Sequence, residues 1–369
     1  MRLPRAVPSS LLALAHMQGE LLSSAQCDAA GVTRGQRSRL VASGVWQRPT
    51  KGVVDVDPLM QHLPNGIDRR RRRAAWLGLL AYGPEAVAVG QCALVLHGVA
   101  GLPMQVTPEI ALPRGRSVRA RDGMRVRYAD PVELLRYGPR NIAALVPALV
   151  QALPDMPRRN AVAVLDDVLH RRLLSDEALA GIEARLVGRR GAVRVRSWIR
   201  LADRLAESPL ETFARMECVD AGIPPDALQV EIRDARGVFV ARGDMGWRLP
   251  SGRWLIVEVD GHEFHEAPAA LLRDRSRQNA MLATGQVDLI RVTAHDIGRP
   301  GTVAALVRAA LIRAPSGAEP VDARAKRPKT VHVDQLVRGR RVGSAEPPRG
   351  SARRGQTEGA VSGRAADPP

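Results

Sequence analysis

Cysteine is scarce in this sequence of 369 residues, which contains three: Cys27, Cys92 and Cys218. They lie far apart and match neither a paired pattern nor the spacing of metal ligands. The spacing argues against a disulfide framework and against a cysteine-bound zinc. A reducing, cytoplasmic environment is expected.

Long apolar runs are also missing. The chain starts with a basic end, but the apolar run that follows is short and is broken at His16 and Gln18, which argues against a signal peptide. Residues 86–104 carry little charge, yet their glycines, Gln91, His97 and Pro103 predict a buried helix and loop rather than a membrane span. We therefore expect a soluble protein with no membrane partner.

Acidic residues are outnumbered by basic ones, 38 against 55, which gives a formal net charge of +17 and a pI of about 11.2. The excess is almost wholly arginine, whose forked guanidinium fits phosphate oxygens. The charge predicts a polyanionic partner. A GC-rich genome favours arginine codons at positions that need a solvated cation, and it would give the same composition. Both explanations therefore stay open.

The N-terminal residues have the pattern of two short helices followed by a hairpin. Ser24 and Thr33 are expected helix caps, Gly31 supplies a turn, and Gly44 ends the second helix. The segment from 45 to 54 then alternates around a turn, as a small wing would. Three arginines of the second helix are expected in solvent: Arg34, Arg37 and Arg39.

This unit looks like a winged helix-turn-helix and, in its closing GVWQRPTKGVV, resembles the N-terminal domain of AbiEi-type antitoxins. The resemblance implies that the second helix enters the DNA major groove. Any three-helix unit with basic outer faces would show the same sequence pattern without binding DNA. The run Arg69 to Arg73 opens a further helix and predicts either a phosphate contact or a solvated helix start.

The C-terminal third has the clearest element order. A helix capped by Ser208 is followed by three predicted strands, LQVEIR, VFVARGDMGW and WLIVEVDG, then a long helix, the strand VDLIRVT and a closing helix from about Gly301. Glu258 and Asp260 share one face of the third strand, and Asp244 lies near the end of the second strand. If the two strands pair as a hairpin, Asp244 is expected close to the other two acids. Three acids at one edge repel each other unless a divalent cation neutralises them, and oxygen ligands without cysteine favour Mg²⁺ or Mn²⁺.

This order, with SPLET, RGDMGW, VEVDGHEFH, RDRSRQN and LIRVTAHD in sequence, is similar to the Vsr-like endonuclease domains of the PD-(D/E)XK fold, over residues 207–312. The resemblance implies that Asp244 and Glu258 hold the metal and that Glu211 reaches in from the first helix. It places Asp260 where the family has a lysine. His265 is then the expected base, with Arg273 or Arg277 supplying positive charge.

Each of these residues also has a structural explanation. Glu211 is the last residue of SPLE, a capping box in which its carboxylate would bond back to the Ser208 amide. Asp260 with Gly261 is a common turn pair. Gln229 and Gln278 suit either the site or the surface.

The sequence thus predicts a multidomain protein of α/β and α+β class. The expected domains are a winged helix-turn-helix at 1–60, a mixed α/β and helical middle domain at 68–205, a restriction-endonuclease-like αβββαβ domain at 207–313, and a disordered basic tail at 314–369. The expected function is a metal-dependent DNA endonuclease. The alternative is an antitoxin-type DNA-binding transcriptional regulator whose nuclease fold is inactive, with a toxin or another phage-defence protein as its partner.

Overall fold

The computed structural model describes residues 6–59, 66–113, 118–121, 123–128, 133–260 and 277–314. The chain divides into two units, Met1–Ala318 and Glu319–Pro369, and every described residue belongs to the first. The expected mixed α/β class is confirmed, since helices surround three separate sheets. No helix in the described ranges is long and apolar enough to span a bilayer. The predicted tail, 314–369, lies outside the described residues apart from Ala314.

The N-terminal part combines three helices with a small antiparallel sheet of order β1-β3-β2. Its elements are α1 (Ser9–Met17), β1 (Leu21–Ser23), α2 (Ser24–Ala29), α3 (Arg34–Ala42), β2 (Gln47–Thr50) and β3 (Val53–Asp55). The predicted cap Thr33 is confirmed, because its Oγ1 accepts from Gln36 N at 3.3 Å. The predicted cap Ser24 is wrong by one residue: Ser23 Oγ accepts from Gln26 N, and Gln26 bonds back to Ser23 N. Gly44, with φ of 77°, follows α3 as expected.

The middle part is a mixed five-stranded sheet of order β6-β5-β4-β8-β7, packed against helices. It contains α4 (Gly66–Tyr82), β4 (Val87–Ala88), α5 (Gly90–Leu96), β5 (Glu109–Leu112), β6 (Arg125–Tyr128), β7 (Leu134–Tyr137) and β8 (Arg140–Ala143). Four helices follow: α6 (Leu145–Ala152), α7 (Arg158–His170), α8 (Asp176–Arg185) and α9 (Ala192–Ile199). Ser175 caps α8, its Oγ accepting from Ala178 N at 3.2 Å.

The arginine run at the start of α4 has structural contacts that neither sequence explanation predicted. Arg73 forms an ion pair at 2.7 Å with Asp55, which is completely buried. Arg71 donates to the carbonyl of Pro103 at 2.9 Å and to that of Leu102. Burial raises the pKa of Asp55, and the nearby Arg73 opposes that rise. These arginines therefore hold the N-terminal sheet and a loop against α4.

The C-terminal part has the predicted order of elements in its described residues. These are α10 (Pro209–Asp220), β9 (Ala227–Arg233), β10 (Phe239–Arg248), β11 (Trp254–Asp260), β12 (Val287–Thr293), α11 (Ala294–Ile297) and α12 (Thr302–Arg313). Residues 277–283, before β12, are helical. The sheet order is β12-β11-β10-β9, with β11 and β12 parallel and the other pairs antiparallel. The short helix α11 was not predicted.

Helix α10 joins two hydrophobic cores. Ala214 and Cys218 pack with Met245 and Val257 of the C-terminal sheet, whereas Met216 packs into the core of the middle part. A helix buried on two faces is fixed from both sides. It therefore presents its first turn, which contains Glu211, in a defined position beside the sheet.

Candidate functional site

Asp244 and Glu258 lie on the two central strands of the C-terminal sheet, which pair with each other. The register of β10 and β11 extends as far as Met245 opposite Val257, and Asp244 and Glu258 are the next residues beyond that pair on the two strands. Because side chains alternate along a strand, both residues belong to the face opposite to that of Met245 and Val257. Glu258 is 4% exposed, so its carboxylate is almost completely withdrawn from water. The strand register brings the two residues to adjacent strands, and their convergence on one metal ion stays a prediction.

The carboxylate of Asp244 is fixed by the backbone of the neighbouring strand. The N–H of Val259 donates to Asp244 Oδ2 at 2.7 Å. Burial raises the pKa of Asp244, while the Val259 amide and the Arg277 guanidinium act in the opposite direction. Partial burial therefore disfavours the ionised form of Asp244, and the Val259 amide and Arg277 partly offset this effect.

Glu211, in the first turn of α10, is a buried acid near Asp244. Its Oε2 accepts from Gln229 Nε2 at 3.1 Å and from the backbone N–H of Glu207 at 3.0 Å. The predicted capping partner, the Ser208 amide, is therefore wrong by one residue, although Ser208 Oγ does accept from Glu211 N at 3.2 Å. Burial raises the pKa of Glu211, and the negative charge of Asp244 raises it further.

Two arginines bring positive charge to the acids. Arg277 Nη2 lies 3.0 Å from Glu258 Oε1, and its Nη1 donates to the carbonyl of Arg242 at 3.3 Å. Arg242 in turn pairs with Glu207 at 2.6 Å. The expectation that Arg277 supplies charge to the site agrees with this contact. Sequence reasoning missed Arg242 and Glu207, whose positions depend on how β10 meets α10.

Asp260 does not join the other acids in a three-carboxylate cage. Its Oδ2 lies 3.4 Å from Nη2 of Arg291, which belongs to β12, the strand that pairs with β11 in parallel. Within the described residues no group of three or more His, Cys, Asp or Glu side chains could hold a metal ion. The prediction of three acids around one cation is therefore wrong for this part of the chain, and Asp244 with Glu258 remains as a two-carboxylate arrangement.

Two of the predicted site residues, His265 and Arg273, lie outside the described residues. Gln229, which the sequence left undecided, contacts Glu211, and its backbone has a positive φ of 51°. Left-handed backbone is uncommon for glutamine, and no local sequence signal marks it. Gln278 is placed to accept from Arg291 Nη1 at 2.7 Å once its amide is oriented with the oxygen toward the guanidinium.

The three arginines predicted to face DNA from α3 do not behave alike. Arg34 and Arg39 are exposed, as expected. Arg37 is 6% exposed, forms an ion pair with Asp28 and donates to the carbonyl of Val32 at 2.6 Å. The prediction that Arg37 lies in solvent is wrong, because it closes the turn between α2 and α3.

Fold and site together define a mixed α/β protein with carboxylates and arginines grouped on the central strands of one sheet. Two uncharacterised proteins of Mycobacterium tuberculosis, from strains CDC 1551 / Oshkosh and ATCC 25618 / H37Rv, are each 31% identical to the chain over 204 residues. The match covers 55% of this chain and 73% of each relative. The chain therefore belongs to the same family as these proteins. No model of a described protein family matches it.

Proposed function

We propose that the protein is a metal-dependent DNA endonuclease whose phosphodiester-cleaving site is built on Asp244 and Glu258. The observation that carries the proposal is the placement of Asp244 and Glu258 on adjacent paired strands, each one residue beyond the Met245–Val257 pair, with Arg277 Nη2 at 3.0 Å from Glu258 Oε1. Clustered buried acids repel phosphate and destabilise the fold. Such an arrangement is expected where it serves chemistry.

The donor set suits a magnesium ion. Proteins hold Mg²⁺ through one or two carboxylates, and water and substrate phosphates complete the coordination. Asp244 and Glu258 would hold the ion. Burial raises the pKa of Asp244 and withdraws Glu258 from water, and a bound cation would stabilise the ionised form of both carboxylates. When bound, the ion would lower the pKa of a water and polarise a phosphoryl oxygen.

The chain's own residues would position the substrate and balance its charge. Arg277 lies next to Glu258 and would offer its guanidinium to a phosphate oxygen. Asp260 occupies the position at which the PD-(D/E)XK pattern has a lysine. Gln229 orients the carboxylate of Glu211, and the negative charge of Asp244 raises the pKa of Glu211. Glu211 could then accept a proton from the attacking water.

The N-terminal part supports a DNA-binding role as a winged helix-turn-helix. Exposed Arg34 and Arg39 lie on α3, which precedes the β2–β3 hairpin. In the proposed arrangement of domains, 1–60 binds DNA, 68–205 connects, and 207–313 cleaves.

A cleavage assay tests the proposal. Supercoiled plasmid, linear duplex and mismatched duplex are incubated with the full chain and Mg²⁺ or Mn²⁺. We expect cleavage of at least one substrate by the wild type and a loss of at least about 100-fold in Glu258→Gln. Glu231→Gln is the matched control, because Glu231 lies on β9 and pairs on the surface with Arg233. Equal activity of all three proteins, or no cleavage of any substrate, contradicts the proposal.

A second function, an antitoxin-type DNA-binding regulator with an inactive nuclease fold, is favoured by a different observation. Asp244 already accepts from Val259 N, and Glu258 already pairs with Arg277, so the acids have partners within the chain. Calorimetric titration with Mg²⁺ separates the two functions. The nuclease predicts heat that disappears in Asp244→Asn, and the regulator predicts none.

A further inference from the structure

A large open cavity lies on the side of the molecule formed by the start of α4, the loop 98–104 and the first turns of α7 and α10. Its volume is about 1170 Å³. Pockets for drug-sized molecules have volumes of ~300–1,000 Å³. The cavity is therefore large enough for a ligand longer than a single small molecule.

One side of the cavity is lined by arginines. The Nη1 nitrogen of Arg69 is buried and has no hydrogen-bond partner in the part of the chain that the structure describes. Arg159 is exposed and has no carboxylate partner among those same residues; its guanidinium lies 5.2 Å from the centre of the Phe213 ring. Arg71, by contrast, is already bonded to the Leu102 and Pro103 carbonyls. Arg69 and Arg159 thus retain donors for an anionic ligand.

The acids at the cavity already have partners. Glu20 Oε1 lies 2.8 Å from His16 Nδ1, and Asp68 Oδ1 lies 2.8 Å from Arg71 Nη1. Neither contact involves Arg69 or Arg159. These two acids therefore do not occupy the donors of Arg69 and Arg159.

The cavity lining also includes apolar residues, among them Leu102, Leu210 and Phe213. A guanidinium that lies over a phenyl ring leaves its outer face available for a nucleobase to stack against. Proteins that bind single strands combine such stacking surfaces with cations along the backbone path.

We propose that this cavity binds a single-stranded nucleic-acid segment, with phosphates at Arg69 and Arg159 and a base against the Arg159–Phe213 pair. The proposal does not depend on DNA cleavage. Pro209, Leu210 and Phe213 line the cavity, whereas Glu211 contacts Gln229. At roughly 100° per residue, Glu211 points away from the cavity-lining face of α10, so the cavity and the acidic site can be altered separately.

Fluorescence anisotropy with a labelled single-stranded oligonucleotide and the full chain tests the proposal. We expect Arg69→Gln and Arg159→Gln each to weaken binding about tenfold and to reduce the slope of log K against log salt by about 0.7. Phe213→Leu should weaken binding about tenfold without changing that slope, because stacking carries no counterion release. The matched control is Arg190→Gln, an exposed arginine between α8 and α9, with an expected change below twofold.

Three results would overturn the assignment. Equal weakening by Arg190→Gln would show a general charge effect rather than a site. Duplex DNA bound as tightly as the single strand, with the same sensitivity to Arg69→Gln, would exclude a single-strand site. Binding of inorganic phosphate or a mononucleotide that depends on Arg69, with oligonucleotide affinity unchanged, would assign the cavity to a small phosphate compound. Thermal unfolding of each variant checks that the fold is intact.

Discussion

The half-buried carboxylate of Asp244 lowers the stability of the fold at neutral pH. Burial raises its pKa above the ordinary aspartate value of about 3.9, so the folded state favours the protonated form. The stability that protonation provides is present below that ordinary value and is lost as the pH rises through the raised folded-state pKa. An asparagine in this position has no charge to desolvate, and its amide oxygen can still accept from Val259 N.

We therefore expect Asp244→Asn to unfold at a higher urea concentration than the wild type at pH 7. The difference should shrink as the pH falls toward 4, because the wild-type carboxylate becomes protonated. Glu231→Gln, on the exposed part of β9, should show no such difference at either pH. A less stable Asp244→Asn at pH 7 would contradict the burial of this charge.

Asp166 and Arg215 form an ion pair that links α7 to α10. The two side chains are 2% and 8% exposed and lie 2.7 Å apart, and Thr212 Oγ1 donates to the same carboxylate at 2.7 Å. Removing one partner leaves a buried charge without compensation. We expect Arg215→Met to lower the free energy of unfolding by about 3–5 kcal/mol.

The control for this prediction is Arg233→Met, which removes a surface pair with Glu231 and should cost less than about 1 kcal/mol. Urea denaturation measures both variants. Similar losses in the two would mean that the Asp166–Arg215 pair is not the buried link between the helices.

At the level of elements, β10 depends on a glycine next to the candidate site. A Cβ added to Gly243 would lie 2.3 Å from Cγ2 of Ile256, whose side chain is completely buried. We expect Gly243→Ala to destabilise the fold by about 1–3 kcal/mol. Ile256→Ala removes the clashing methyl and should cost about 2–5 kcal/mol alone.

The double variant should lose clearly less than the sum of the two single losses, which a double-mutant cycle measures. Gly35→Ala in α3 is the control glycine, since the nearest atom to its added Cβ is 4.0 Å away and alanine favours a helix. Simple additivity at Gly243 and Ile256 would contradict the close approach of β10 and β11.

Elements with local signals could be predicted from the sequence. The Thr33, Ser175 and Ser208 caps depend on residues three positions away, so short patterns reveal them. The strands of the C-terminal sheet follow from runs of β-branched residues between turns. Helix α11 was missed because its four residues are too short for a periodic pattern, although Thr293 and Asp296 form a capping box.

Contacts between distant elements could not be predicted. The sequence brings Asp244 and Glu258 near each other through strand pairing, but Arg277 reaching Glu258 depends on how a helix crosses the sheet. The same limit explains the buried Arg37, because its partner Asp28 lies across a turn whose geometry a residue pattern does not fix. Helix periodicity alone predicted that Arg37 faces solvent.

At the scale of the whole molecule, the large positive charge is divided between structural and free arginines. The side chains of Arg37, Arg73 and Arg215 are mostly buried in ion pairs with acids of the same chain, whereas Arg34 and Arg39 are exposed on α3. Net charge therefore overstates the cationic surface that can meet DNA. The proposed DNA-binding face is formed by exposed arginines such as Arg34 and Arg39, which phosphates can reach.

We expect the double variant Arg34→Gln, Arg39→Gln to bind duplex DNA more weakly than the wild type. The slope of log K against log salt should fall by about 1.8, because each lost phosphate contact in duplex DNA contributes about 0.9. Its unfolding should be unchanged, since both side chains are exposed. Anisotropy titrations at several salt concentrations measure the slope, and an unchanged slope would contradict DNA binding through α3.

The most direct test of the central proposal is the single-turnover rate of DNA cleavage by Asp244→Asn at pH 7 with Mg²⁺. Because this variant is expected to be at least as stable as the wild type, a lower rate cannot be attributed to unfolding. The proposed site predicts a rate reduced by at least about 100-fold, with Glu231→Gln cleaving at the wild-type rate. Cleavage by Asp244→Asn at the wild-type rate would contradict a catalytic site on β10 and β11.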